Sequence, residues 1–331
     1  MFFTTPVELP RGARPISHES RLMLIGSCFA GNIGAALLDN KFNVDVNPFG
    51  VQYNPLSIAT VLSRIVDGTP FDSSSPELFE HNGKWHSILH HSDFSRDSKE
   101  LLIAVINERL LKAHNAIVAY DTIIIALGTA YAYTRNSDNA VAGNCHKLPG
   151  NLFTRSLLGI DEITERLQAV MRRIITANPG VRFIFTVSPI RHLRDGAHDN
   201  QKSKATLLLA IDRIAEALPQ NTVYFPSYEI MMDELRDYRF YADDMLHPSA
   251  KAIGYIWECF DKCYFNDATR ALNTRTSEIT RGLAHRPFDA QSPGYRNFIG
   301  QLLQKIEAIE KEHPYIDFEN EKRECNTLLN R

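Results

Sequence analysis

The chain has 331 residues, 44% hydrophobic side chains and a formal net charge of −3, which suits one globular α/β domain with an added segment and does not demand two domains. Charges of both signs are dispersed, with no Lys/Arg block, basic stripe or acidic tail, so neither nucleic acid nor a membrane surface is an expected partner. No apolar run is long enough to span a bilayer, and the cysteines (Cys28, Cys145, Cys259, Cys263, Cys325) are odd in number and scattered, which argues against a disulfide framework.

The opening MFFTTPVELPRGARP lacks a basic region followed by a long apolar run, so the expected location is the cytoplasm. The first predicted strand, Leu22–Ile25, ends at Gly26; a weaker one, Asn43–Val46, ends at Asn47–Pro48. Residues 68–97 break the alternation of strand and helix, with Gly83–His91 read as an inserted strand or hairpin. A helix over Leu101–Val118 leads into the strand Thr122–Leu127, which stops at Gly128. Residues 129–158 form a second long excursion. Ile163, Leu167, Val170, Met171, Ile174 and Ile175 then share one helix face, ended by Asn178–Pro179–Gly180. The strands Arg182–Val187 and Thr222–Phe225 follow. Short apolar runs of this kind suit strands buried on both faces of a parallel sheet, and the alternation predicts a doubly wound α/β sandwich. Beyond about residue 266 the reading is an irregular stretch to Tyr295, a helix carrying Phe298, Leu302, Ile306 and Ile309, and a polar, frayed end. The expected organisation is a domain over 1–266, with insertions at 68–97 and 129–158, and a helical extension over 267–331 packed on it.

Two motifs carry chemistry. Gly26-Ser27-Cys28-Phe29-Ala30 follows the first strand, at the sheet edge where open α/β proteins bind ligands. A serine there also meets the free N–H groups of a helix N-terminus, although helix capping explains the position equally well. Tyr241-Ala242-Asp243-Asp244-Met245-Leu246-His247-Pro248-Ser249 precedes the last core helix. Its Asp-x-x-His spacing lets a carboxylate hold one imidazole nitrogen while the other acts as a base; an ordinary polar turn is the competing account.

Together these motifs resemble the SGNH/GDSL hydrolases, and Gly26–Ala30 spells the string that names the GSCFA family within them. Asn47-Pro48-Phe49-Gly50, Leu127-Gly128-Thr129-Ala130 and Asn144-Cys145-His146-Lys147 also look like that family, so the resemblance covers roughly residues 20–260. It implies a three-layer sandwich whose five-stranded parallel sheet has the order 2-1-3-4-5. It also implies Ser27 as nucleophile, His247 as base and Asp244 as its orienting carboxylate, with no cofactor or metal. The N–H groups of Ser27 and Gly50 become the implied oxyanion donors. The superfamily's usual third-block asparagine is missing, since this strand ends Gly128-Thr129-Ala130; Gly128, Thr129, Asn54 and Asn144 are the substitutes weighed here. The implied reaction is hydrolysis of an O-acyl ester, chiefly O-acetyl, on a carbohydrate or related small molecule. Acyl transfer by the same triad and a non-catalytic carbohydrate-binding role are the alternatives.

Asn54, His90, Asn144, His146, Arg191 and His192 are the expected substrate-binding residues; Arg194 and Asp195 also follow a strand at the crevice end. The several histidines show no zinc-type spacing. Cys28 is a rival nucleophile. Adjacent residues at a turn point in different directions, so Ser27 is expected in the crevice and Cys28 in the core. Both insertions are expected to narrow that crevice. The sequence leaves the oligomeric state open.

Overall fold

A computed structural model describes residues 5–10, 14–289 and 291–330; the amino-terminal stretch just read for a leader lies partly outside them. The elements run β1 (Arg21–Gly26), α1 (Cys28–Asp39), β2 (Asn43–Val46), α2 (Pro55–Asp67), β3 (Leu78–His81), β4 (Lys84–Ser87) and α3 (Lys99–Ile117). Next come β5 (Thr122–Leu127), β6 (Tyr131–Arg135), β7 (Val141–Ala142), β8 (Phe153–Leu157), α4 (Ile160–Ala177), β9 (Arg182–Val187), α5 (Gly196–Ala217) and β10 (Thr222–Tyr224). A helical turn α6 (Ser227–Glu229) precedes α7 (Ala250–Tyr264), α8 (Asp267–Leu283), α9 (Pro293–Glu312) and α10 (Glu319–Leu329).

Strands β2-β1-β5-β9-β10 form one five-stranded sheet, parallel throughout, in the order the resemblance implied. Successive strand residues face opposite sides. Met23, Ile25, Ile123, Ile125, Phe183 and Phe185 therefore pack into one core with α2, α3, α4 and α5. Leu22, Leu24, Ile124, Ala126 and Ile184 pack into a second core with α1 and α7. That two-sided burial makes the central strands continuous apolar runs, and it makes the molecule a three-layer sandwich.

The first insertion is an antiparallel hairpin, β3–β4. It turns at Asn82 and Gly83, both with positive φ (51° and 71°), as a tight two-residue turn requires. The second insertion is a separate antiparallel sheet in the order β7-β6-β8.

Two readings of the carboxyl-terminal region need correction. The stretch expected to be irregular contains α8. Its buried face is Thr269, Leu272, Asn273, Thr276 and Ile279, so helical spacing is present but mostly in polar residues. The end expected to fray forms α10, with Cys325 fully buried. Helices α8–α10 share their own small core around Ile299, Leu302, Ile306 and Phe318. They meet the sandwich where Thr276 and Thr280 donate to the Asn40 and Asp39 carbonyls, and where Lys41 pairs with Glu321. Among the described residues, no helix is long and apolar enough to cross a membrane.

Candidate active site

The turn after β1 is set by close backbone approach. Gly26 has φ 149°, and a Cβ there would lie 2.2 Å from the Ala126 carbonyl oxygen, so only glycine lets β1 and β5 come this near. Ser27 then donates its N–H to that same carbonyl at 3.1 Å and caps α1, its Oγ accepting from Phe29 N at 3.3 Å. Ser27 is 0% exposed. Cys28 is partly exposed, borders the neighbouring cavity and places Sγ 3.5 Å from the Tyr53 hydroxyl. This partly reverses the expected orientation of the pair: the thiol borders the cavity while still packing on the second core, and Ser27 is buried outside the cavity lining. The strand-end contacts explain the reversal, because the chain enters α1 with Ser27 drawn against β5. Gly128 covers it. A Cβ at Gly128 would sit 3.3 Å from Ser27 Cβ, 3.0 Å from the Tyr53 carbonyl oxygen and 3.5 Å from His192 Nε2.

The second motif is a tight turn. Asp244 Oδ1 accepts from the Leu246 and His247 N–H groups, both at 2.9 Å, and Oδ2 lies 2.6 Å from His247 Nδ1. These hydrogen bonds, the one from the His247 backbone foremost, hold the Asp244 carboxyl down at about 2. Met245, in the left-handed region (φ 57°), lets the chain reverse between them. Ala242 N donates to His247 O, and Arg191 N donates to Leu246 O, which ties the turn to the chain after β9. Both side chains are half exposed, at 46% and 48%. Nδ1 is committed to the carboxylate, leaving Nε2 as the ring's free nitrogen. Among the described residues no hydrogen bond joins Ser27 to His247.

A cavity of about 710 Å³ opens at the carboxyl edge of the sheet. Asn54, Thr129, Asn144, Arg191, His192 and His247 line it, as does Cys28. The second insertion supplies a wall through Tyr131, Tyr133, Lys147 and Arg155; the first reaches it only through His91. A more open hollow beside Gly282, Phe288 and Tyr295 is also lined by His285, Asp289 and Ser292, but Ser292 Oγ caps α9 and donates to the Asp289 carbonyl, and among the described residues no hydrogen bond joins it to His285.

His90 and His146 do not join this cavity. His90 is buried, stacked on Phe49 and bonded to Ser87 Oγ within the first insertion, while His146 bonds to the Ser87 carbonyl and so joins the second insertion to the first. The implied oxyanion donors are also engaged. Besides Ser27 N, Gly50 N donates to Asn47 O at 2.7 Å, and Gly128 N and Thr129 N donate to Tyr53 O at 2.9 and 3.0 Å. The Thr129 hydroxyl pairs with Ser203.

Asn54, Asn144 and His192 keep side-chain donors free; Asn144 accepts from His146 N through Oδ1, and its Nδ2 has no acceptor among the described residues. Asn54 caps α2 through Oδ1, and its Nδ2 has no acceptor among the described residues. His192 Nε2 is buried beside Gly128 and has no hydrogen-bond partner among the described residues. Burial, helped by the nearby Lys204 charge, pushes His192 down to about 4 and keeps it neutral. Lys204 itself is fully buried, with Nζ 2.7 Å from both the Gly128 and Ser188 carbonyl oxygens, and burial pushes it down to about 7. Sequence reasoning missed Lys204, Tyr53, Tyr131 and Tyr133. The last two were legible as an alternating pair, since residues two apart share a strand face.

Among solved structures, a Corynascus thermopiles (Myceliophthora fergusii) carbohydrate esterase family 2 enzyme with a carbohydrate-binding domain is 14% identical, with a TM-score of 0.37, over 80% of this chain and 68% of that one. An acetyl xylan esterase, Est2A, from the rumen bacterium Butyrivibrio proteoclasticus is 13% identical, with a TM-score of 0.33, over 75% of this chain and 64% of that one. No curated protein matches. The model of the GSCFA domain protein C-terminal domain matches residues 276–331. The GSCFA family model matches residues 21–260, most of the chain, and the chain belongs to the GSCFA family.

Proposed function

We propose that the protein is a serine esterase of the SGNH type that hydrolyses an O-acyl ester, chiefly O-acetyl, of a carbohydrate or related small molecule. The observation that carries this reading is the Asp244–His247 pair at the rim of a cavity that adjoins the turn holding Ser27. Asp244 fixes the Nδ1–H tautomer, so Nε2 is the basic nitrogen. Ser27 Oγ gives its proton to His247 Nε2 and attacks the acyl carbon. The tetrahedral oxyanion then collapses, His247 returns the proton to the departing alcohol oxygen, and the acyl group stays on Ser27. Water, deprotonated by the same Nε2, releases the acid. Neutral His192, donating through Nε2, and Asn54 Nδ2 serve as side-chain oxyanion donors in place of the engaged backbone N–H groups. Ser27 and His247 come within hydrogen-bond distance as substrate closes the site.

One observation favours a second reading. Ser27 has no accessible surface and no hydrogen bond to His247, which suits a carbohydrate-binding protein that has lost turnover. Release of p-nitrophenol from p-nitrophenyl acetate separates the two. The esterase reading expects turnover that vanishes in Ser27→Ala and His247→Ala; a folded parent chain with no turnover of any ester supports the binding protein.

A further inference from the structure

The cavity carries more positive charge than the chain around it. The whole chain is net negative, at −3, yet Lys147, Arg155, Arg191 and Arg194 all line the cavity. Only Arg155 is neutralised there, by a two-pronged pair with Asp195. The other carboxylate at the rim, Asp244, is committed to His247. Among the described residues, Lys147, Arg191 and Arg194 have no carboxylate within 4.0 Å. Aromatic rings orient the guanidinium groups instead: Arg191 lies 5.6 Å from the Tyr241 ring centroid, and Arg194 lies 5.7 Å from that of Tyr133 while donating to its hydroxyl. Ring contacts fix direction without cancelling charge.

Lys147 is held there at a conformational cost. His146 and Lys147 are consecutive non-glycine residues in the left-handed region, with φ 47° and 60°. Such strain persists only where the surroundings over-determine it. Asn144 Oδ1 accepts from His146 N at 2.8 Å, and the buried His146 ring bonds to the Ser87 carbonyl at 2.8 Å. The anchored histidine thus presents the exposed lysine at the cavity rim.

Resting on the esterase reading for the reaction, we propose that this site takes an acyl ester whose alcohol portion bears an oxyanion, a carboxylate or phosphate on a sugar, bound by Lys147, Arg191 and Arg194. Three acetylated methyl hexosides that differ only at the sixth carbon, as hydroxymethyl, carboxylate or phosphorylated hydroxymethyl, provide the test. The carboxylate or the phosphate ester should exceed the neutral one in kcat/KM by about a hundredfold at low salt, a preference that shrinks as ionic strength rises. Which of the two leads identifies the source of the anion. In Lys147→Gln/Arg194→Gln the ratio of anionic to neutral kcat/KM should fall about tenfold or more, and Lys147→Arg/Arg194→Lys should restore part of it. Equal turnover of the three, or a preference for the neutral ester, would overturn the proposal.

If the parent hydrolyses none of them, the esterase reading fails, and calorimetry on the parent with methyl glucuronide, glucose 6-phosphate and methyl glucoside decides the anion question alone. Binding of an anion that weakens in Lys147→Gln/Arg194→Gln supports the proposal; binding of none, or of the neutral sugar equally, overturns it.

Discussion

The two halves of the site are built in opposite ways. Ser27 is held by long-range contacts: its N–H bonds to β5, its neighbour Gly26 touches β5, and Gly128 closes over it. His247 is held by local contacts within one turn, and it and Asp244 are half exposed. A substitution near Ser27 is therefore transmitted through a rigid sheet edge. A change at Asp244 touches one turn that water already surrounds. Under the proposed esterase reading, the sheet edge would control the geometry of the reaction and the outer turn would handle the proton.

Substitutions break or sharpen that contrast. The largest effect is expected from Ser27→Ala and His247→Ala, each lowering kcat by about a thousandfold or more, with a double variant hardly worse than either; non-additivity in steady-state kinetics is the check, because residues acting as one unit do not sum. Gly128→Ala comes next. Its Cβ lands within 3.3 Å of Ser27 Cβ and 3.0 Å of the Tyr53 carbonyl oxygen, so kcat should fall about a hundredfold in a folded protein, since small misplacements at a reacting centre cost that much. Asp244→Asn should cost less, about ten- to a hundredfold, because its partner is half exposed. Asp244 stays ionised down to about pH 2, so its own protonation adds no limb to the rate profile above that pH; an acid limb in kcat/KM that disappears in Asp244→Asn would contradict this.

A smaller effect concerns stability. Burial lowers Lys204 from its ordinary value to about 7 in the folded chain, so above that pH the unfolded chain binds the extra proton. Stability should rise as pH climbs from about 7 toward the ordinary lysine value and then level off, with this residue contributing at most about 1.4 kcal/mol per pH unit. Below about 7 its burial cost is constant. Lys204→Met should remove that slope in denaturant titrations at several pH values, though it leaves the Gly128 and Ser188 carbonyls without their donor.

The core strands were legible because Leu22–Ile25, Thr122–Leu127 and Arg182–Val187 are buried on both faces and carry their pattern locally. The pairing of Asp244 with His247 was legible for the same reason, being a contact across three residues. The hairpin at Asn82–Gly83 had a local signal that was read only in its second half. Helix α8 hid because its inner face uses Thr269, Asn273 and Thr276 where an apolar stripe is usual. The burial of Ser27 and the commitment of the Gly128 and Thr129 N–H groups depend on how Ala126 and Tyr53 approach them across the fold, which no spacing records; Gly50, bonded to Asn47 three residues back, is the local exception. The Asp244–His247 pair was thus easier to find than the candidate oxyanion donors.

Whether the buried Ser27 hydroxyl or the Cys28 thiol bordering the cavity reacts is the most direct question to ask of the molecule. A fluorophosphonate, which phosphonylates an activated serine with loss of fluoride, is incubated with the parent chain, Ser27→Ala, Cys28→Ala and His247→Ala, and the modified peptide is located by mass spectrometry. The prediction is a single adduct on Ser27 in the parent and in Cys28→Ala, absent in Ser27→Ala and strongly slowed in His247→Ala. An adduct on Cys28, or labelling of Ser27 that proceeds unchanged without His247, would contradict it.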